Sequence, residues 1–135
     1  MKHLFDFKIF EKDGILFSKV SGDKNRIHLD SNHSRNSIYG TKICHGVLII
    51  LKFLKRLNFN QTNNFEFKYI NSEFLHPTEY NRNIKVYLKK KTKNEEIYII
   101  KQDEIKKVII KFGVDNTNSY NEKRFKNFSD FKYIT

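Results

Sequence analysis

Asp23, Asn25 and His28 are the residues of this sequence whose types and spacing are best suited to chemistry, and they form a D-x-N-x-x-H pattern. A carboxylate and an imidazole at this spacing can converge on one small site, where they can hold a water molecule and exchange protons with it. Asp, Asn and His are also common in loops. The pattern alone therefore leaves a second interpretation open, in which Asp23 is a turn residue and His28 a hydrogen-bonded structural residue.

The segment around this pattern resembles the hydratase motif of the MaoC-like (R)-specific enoyl-CoA hydratases. That motif has a Phe, then Ser-Gly-Asp-x-Asn-x-x-His-x-Asp, and further on Ile-x-His-Gly. The sequence follows it without insertion or deletion at Phe17, Ser21, Gly22, Asp23, Asn25, Ile27, His28, Asp30, Gly40, Ile43, His45, Gly46 and Leu48. Where the family usually carries Pro after the Asn, this sequence has Arg26. Because Pro fixes φ and lacks an N–H donor, Arg26 frees an N–H and brings a cation close to the site.

The resemblance implies reversible hydration of a 2-enoyl thioester to an (R)-3-hydroxyacyl thioester, carried by coenzyme A or an acyl carrier protein, with no cofactor and no metal. Asp23 and His28 would hold the water and share the base and acid work, and Asn25 would support them. The backbone N–H of Gly46 matches the position that donates to the thioester carbonyl. In the alternative, Gly46 only permits close packing. Two further candidates for substrate binding are Arg26 and Tyr39.

Other functions remain open. A hot-dog acyl thioesterase would hydrolyse the same kind of thioester, whereas a non-catalytic basic binding module would not need Asp23. Cys44 stands beside His45, but adjacent residues seldom face each other as a nucleophile and its base must, so we predict a structural cysteine. We do not predict metal ligation by His28, His33 and His45, because their spacing lacks the one-face helical pattern of zinc sites.

The charge of the chain is strongly positive, with a formal net charge of +11 and a pI near 9.7. We do not expect a nucleic-acid partner, because lysine far outnumbers arginine, the residue preferred for phosphate contacts, and the basic residues are scattered. Their densest cluster is Lys89, Lys90, Lys91 and Lys93. A field of this sign would attract an anionic carrier, either the phosphates of coenzyme A or an acidic acyl carrier protein.

Length and composition predict a single domain over residues 1–135. The one cysteine excludes an intramolecular disulfide and fits a reducing compartment. We expect no membrane partner, because the longest apolar run, Val47–Leu51, is far shorter than the roughly 20 residues that a membrane helix needs. The amino terminus has no uninterrupted apolar segment for secretion. The expected location is therefore the cytoplasm.

The hydrophobic pattern predicts an α+β fold. We expect a first strand over residues 4–10 at a sheet edge, a helix over 12–20 that ends at Gly22, and a short helix that Asp30 or Ser31 caps. A long apolar helix should follow over 45–57, and four strands near 65–75, 84–88, 97–100 and 105–114 should form an antiparallel meander.

The order of helix and meander favours a hot-dog domain, in which an antiparallel sheet of about five strands wraps around a central helix, and the resemblance implies the same fold. Since the family closes exposed sheet edges by pairing protomers, we expect a homodimer. The tail from about residue 115 is polar but also rich in aromatic residues, and we expect it to dock.

Overall fold

The structure, a computed structural model, describes residues 1–60 and 66–115 of the chain. Five strands and four helices lie in these ranges, and all but the short helix Arg26–Leu29, which was not predicted, are close to the predicted positions. The elements in chain order are β1 Lys2–Phe7, α1 Glu11–Ser21, α2 Arg26–Leu29, α3 Ser31–Arg35, α4 Gly46–Asn60, β2 Glu66–Phe74, β3 Ile84–Lys91, β4 Glu95–Gln102 and β5 Ile105–Asp115. The predicted docking of the tail concerns residues outside the described ranges.

The five strands form one antiparallel sheet in the order β1-β3-β4-β5-β2. The expected edge position of β1 is confirmed, and Asp103 and Glu104, both at positive φ, make the two-residue turn between β4 and β5. The predicted four-strand meander is wrong, because β2 pairs with β5 and not with β3. Residues 75–83 link β2 to β3, and a connection of this length does not force neighbouring strands to pair as a tight hairpin does.

The strands and the helices belong to two compact units, and the second unit contains α1 to α4 and residues 77–82. In this unit α1 begins where the Asp13 carboxylate accepts the backbone N–H of Phe10 at 2.8 Å. It ends as predicted at Gly22, whose φ of 79° is the left-handed conformation of a helix terminus. The capping interactions therefore fix both ends of α1, and the second end leads directly into the Asp23 loop.

Residues 43–45, which lead into α4, are held by the segment over residues 77–82. The Cys44 N–H donates to the Thr78 carbonyl at 2.8 Å, and Ile43 forms an antiparallel bridge with Glu79. Buried apolar side chains then follow along α4, namely Leu48, Ile49, Phe53, Leu54 and Leu57. None of the described helices is long and apolar enough to cross a membrane.

Candidate active site

The loop that carries Asp23 is ordered by short-range hydrogen bonds. The Asp23 N–H donates to Ser21 Oγ at 3.1 Å, and the Ser18 hydroxyl donates to the Asp23 carbonyl at 2.7 Å. Asp23 Oδ1 accepts the Asn25 N–H at 3.2 Å, while the carboxylate side chain remains 51% exposed. The backbone of Asp23 is therefore fixed, and its side chain can still reach water or substrate.

Asn25 caps α2, the one-turn helix that carries His28. Its side-chain oxygen accepts the Ile27 N–H at 3.1 Å, and its carbonyl accepts the His28 N–H at 3.1 Å. His28 Nδ1 lies 2.8 Å from the Ile43 carbonyl oxygen. Because a carbonyl can only accept, the proton of the neutral His28 ring is on Nδ1 and its lone pair is on Nε2. The atom available for proton exchange is therefore Nε2.

His45 is the third member of the site, and its side chain is only 2% exposed. Its Nε2 lies 3.2 Å from the Asp23 carbonyl oxygen and 4.0 Å from Asp23 Oδ2. The His45 ring stacks on His28 with centroids 3.9 Å apart, and its edge contacts Phe17. Burial lowers the pKa of His45, as does the nearby His28, and Asp23 opposes this only in part. His45 is therefore held in its neutral form.

The structure brings together one ligand-type atom each from Asp23, His28 and His45, all within 4.8 Å of one another. The metal set considered from the sequence contained His33 in place of Asp23, and His33 is not in this cluster. The stacked rings of His28 and His45 are only 28° from parallel. Since a metal binds in the plane of each imidazole, a single ion would lie out of the plane of at least one ring. The arrangement is better suited to a water molecule.

Gly46 is the first residue of α4 and directly follows His45. The first N–H groups of a helix have no acceptor within the helix, so the Gly46 N–H is available to an oxygen of a ligand. This position agrees with the predicted role in binding the thioester carbonyl. The role itself stays a prediction.

Arg26 is exposed and forms an ion pair with Asp30, with Nη2 2.9 Å and Nε 3.3 Å from Oδ2. The pKa of Asp30 is lowered, first by the backbone N–H of His33 and then by Arg26. A polar groove runs over α2 and α3, and it is lined by Arg26, Asn32, His33, Asn36 and Ser37. Arg26 is therefore placed on this groove.

Tyr39 is 40% exposed, and its backbone N–H donates to Ser37 Oγ at 3.2 Å. It is not one of the residues that line the polar groove of α2 and α3. Whether Tyr39 contacts substrate stays a prediction.

Cys44 lies next to this site but is not equipped for chemistry. The thiol is buried, and burial, helped by Asp13 and Glu79, raises its pKa to about 12. A nucleophilic cysteine needs the thiolate, which is scarce at such a pKa. The structure thus agrees with a structural Cys44.

The chain resembles known proteins along most of its length. The sequence model described as MaoC like domain matches residues 2–112. The structure is similar to the (R)-hydratase from A. caviae involved in PHA biosynthesis, with 16% identity, 82% of this chain and 90% of that chain covered, and a TM-score of 0.66. It is also similar to R-hydratase PhaJ1 from Pseudomonas aeruginosa in the unliganded form. The identity is 20%, the alignment covers 84% of this chain and 80% of that chain, and the TM-score is 0.63.

A MaoC-like dehydratase from Phytophthora capsici is also similar, at 20% identity and a TM-score of 0.69, with 90% of this chain and 43% of that chain covered. No curated protein matches the sequence. At these identities the structural likeness shows the fold, and it confirms the predicted hot-dog class. Because the family match covers most of the sequence, the chain belongs to the MaoC-like domain family of hydratases and dehydratases.

Proposed function

We propose that this chain catalyses the reversible hydration of a 2-enoyl thioester to an (R)-3-hydroxyacyl thioester. The observation that carries the proposal is the convergence of Asp23 and His28, whose ligand atoms lie within 4.8 Å of each other. A water molecule that makes hydrogen bonds of about 2.8 Å to both groups fits this separation. The family match supports the same class of reaction.

The reaction adds one water molecule across a carbon–carbon double bond. The water oxygen bonds to the β-carbon and the water loses a proton, while the α-carbon gains a proton. His28 Nε2 carries a lone pair because Nδ1–H is bound to Ile43, and Asp23 Oδ2 is left for the water because Oδ1 accepts the Asn25 N–H. The two groups share the base and acid work as a coupled pair.

Negative charge develops on the thioester oxygen as the nucleophile adds. The Gly46 N–H at the start of α4 is the donor that we assign to this oxygen, helped by the positive end of the helix dipole. This donor follows His45 directly in the chain. The groups that we assign to water activation and to oxyanion binding therefore all come from residues 23–46.

The test is the loss of enoyl-thioester absorbance with crotonyl-CoA, and with longer or carrier-bound enoyl groups. Asp23→Asn and His28→Ala should each lower turnover by roughly two to four orders of magnitude, the range for removal of general acid–base help. His76→Ala is the matched control, because His76 is an exposed imidazole that belongs neither to the cluster nor to the groove that carries Arg26. Full activity of the Asp23→Asn/His28→Ala double mutant would refute the mechanism.

The same assay separates the proposal from a thioesterase. A thioesterase would release free thiol from an acyl-CoA, whereas a hydratase leaves the thioester intact. A thiol reagent added to the reaction measures the released thiol directly. Thiol release with no change in the enoyl group would overturn the hydratase assignment.

The homodimer is part of the proposal. The sheet has two edges, β1 and β2, and an exposed edge with free backbone groups is a site where strands of another copy can pair. Tyr69, Ile70 and Phe74 on β2 are exposed apolar side chains. Light scattering during gel filtration should give twice the 16.3 kDa of the chain. A stable monomer would refute this part.

A further inference from the structure

The proposed mechanism leaves one member of the cluster without a role. His45 touches both proposed catalytic groups, since Nε2 lies 3.2 Å from the Asp23 carbonyl and its ring stacks on His28. It is nevertheless buried, with 2% of its surface exposed, whereas the Asp23 side chain is 51% exposed. A group this deeply buried is poorly placed to meet a substrate.

We propose that His45 is the positioning residue of this site, which fixes the backbone of Asp23 through its Nε2–H and the ring of His28 through the stack, without exchanging protons with substrate. The inference rests on the proposed hydratase function and deepens it. It assigns the His of the His-Gly pair a task separate from that of the Gly46 N–H.

The first argument concerns the direction of the Asp23 side chain. The Asp23 carbonyl receives two donors, the Ser18 hydroxyl at 2.7 Å and His45 Nε2 at 3.2 Å. Because the carbonyl only accepts, His45 carries its proton on Nε2. Two donors from opposite ends of the motif hold this peptide group, and the peptide group sets where the carboxylate points.

The second argument concerns the His28 ring. One edge of the ring is tied to the Ile43 carbonyl at 2.8 Å, and one face lies on His45 at a centroid distance of 3.9 Å. An edge contact and a face contact together restrict rotation about both side-chain torsions. The lone pair on His28 Nε2 therefore has a defined direction, which proton transfer requires.

The third argument is that His45 remains neutral while His28 works. The two rings are so close that two positive charges would repel, and His45 lies in the less polar surroundings. Asp23 and His28 are the titratable groups in contact with its ring, and its Nδ1 has no hydrogen-bond partner among the described residues. His28, the less buried of the two rings, is thus the one that exchanges protons.

Two substitutions separate the hydrogen bond from the stack. His45→Gln places an amide N–H near the position of Nε2 and keeps the donor to Asp23, whereas His45→Phe keeps a ring on His28 and removes the donor. We expect His45→Phe to lower kcat by roughly ten- to a hundredfold with KM changed by less than about threefold, the size of effect that misplaced catalytic groups produce. His45→Gln, which keeps the donor but loses the stack, should lower kcat by a smaller factor than His45→Phe does.

Long-range 1H–15N spectra of the wild-type imidazoles provide a test that needs no activity. At pH 7 His45 should be protonated at Nε2 only, and the neutral form of His28 should carry its proton on Nδ1. A doubly protonated His45 or the opposite tautomer would overturn the inference, and so would unchanged kcat in both variants. Equal losses of a thousandfold or more in both variants would make His45 a catalytic residue, which also overturns it.

The two proposals fail in different ways. If the wild type hydrates no enoyl thioester, the proposed function fails, but the tautomers still test the geometry of His45. If the wild type is active, His28→Ala is inactive and both His45 variants are fully active, the hydratase function is supported and the positioning role of His45 is refuted. Thermal unfolding of each variant identifies any loss of activity that is caused by loss of folding.

Discussion

Asn25 provides a sharp test of whether a residue of the motif acts through structure or through chemistry. Its side-chain oxygen caps α2 by accepting the Ile27 N–H at 3.1 Å, and its own N–H is donated to Asp23. Asn25→Ala removes only the cap acceptor, and Asn25→Ser keeps one, since Ser and Asn are comparable caps. The two variants should therefore differ in activity.

The size of the effect follows from the cap energy. Loss of an N-cap costs about 0.5–2 kcal/mol. The α2 helix has only four residues, so this cost falls almost entirely on the loop that positions His28. About 1.4 kcal/mol corresponds to a factor of ten. The activity of Asn25→Ala should therefore be about two- to thirtyfold lower than that of the wild type. Asn25→Ser should stay within about threefold of the wild type by the same conversion.

Initial rates with an enoyl thioester measure this, and thermal unfolding shows that the domain remains folded. Asn83→Ala is a matched control, because the exposed Asn83 side chain donates to Asp6 Oδ2 at 3.0 Å and lies outside both the cluster and the groove that carries Arg26. If the Asn25 amide instead bound the reacting oxygen, both variants would lose about a hundredfold or more, as when an oxyanion donor is removed. Equal and large losses in Asn25→Ser and Asn25→Ala would refute the capping role.

Three further predictions concern stability. Gly14→Ala should destabilise by up to about 2 kcal/mol in urea unfolding, because its Cβ would overlap the Tyr80 hydroxyl and overpacking outweighs the gain in helix propensity. Lys52→Met should lower the free energy of unfolding by about 3 kcal/mol, because it removes the cation that lies 3.2 Å from the buried Asp13 carboxylate. Because the pKa of His45 is lowered in the folded state, the unfolded state binds a proton more readily below pH 6.5. The free energy of unfolding should therefore decrease as the pH is lowered, by at most about 1.4 kcal/mol per pH unit.

Each stability prediction has its control. Lys55→Met lies on the exposed face of the same helix and should change stability little, so a loss equal to that of Lys52→Met would contradict the ion-pair argument. Gly14→Ala should be tolerated in a Tyr80→Leu background, where the overlapping atoms are gone. The decrease in the free energy of unfolding at low pH should be smaller in His45→Phe, and it should be unchanged in His33→Ala, where the replaced imidazole is exposed.

Most elements of the fold could be predicted because their patterns are local. The end of α1 was predicted at Gly22, a residue that adopts the left-handed conformation without strain, and the start of α4 was predicted within one residue. The order of the strands was not, since the pairing of β2 with β5 depends on the path of residues 75–83. Local periodicity carries no information about that path.

The same distinction holds within the site. The approach of Asp23 to His28 could be predicted because the two residues lie only five positions apart in the sequence. The contacts of His45 could not, because the hydrogen bond from His45 to Asp23 spans 22 positions in the sequence and depends on burial. The His-Gly pair was visible as a motif, but a fully buried imidazole and a partly buried one look alike in a sequence.

Arg26, the departure from the family pattern, is also explained by local structure. It is the first residue of α2, a position at which the helix makes no use of the backbone N–H and at which Pro is favoured. Replacing Pro with Arg therefore removes no hydrogen bond from the helix. The change adds a cation whose charge is paired with Asp30, so the loop keeps its capping geometry.

The spacing of the D-x-N-x-x-H motif follows from two consecutive side-chain turns. Asp23 Oδ1 accepts the N–H two residues on, at Asn25, and Asn25 Oδ1 accepts the N–H two residues on, at Ile27. The Asn25 carbonyl then accepts the His28 N–H, which closes the first turn of α2. Asx turns of this kind require a fixed offset of two residues. One inserted residue between Asp23 and His28 would break a turn and rotate the imidazole away, so the pair works only at this spacing.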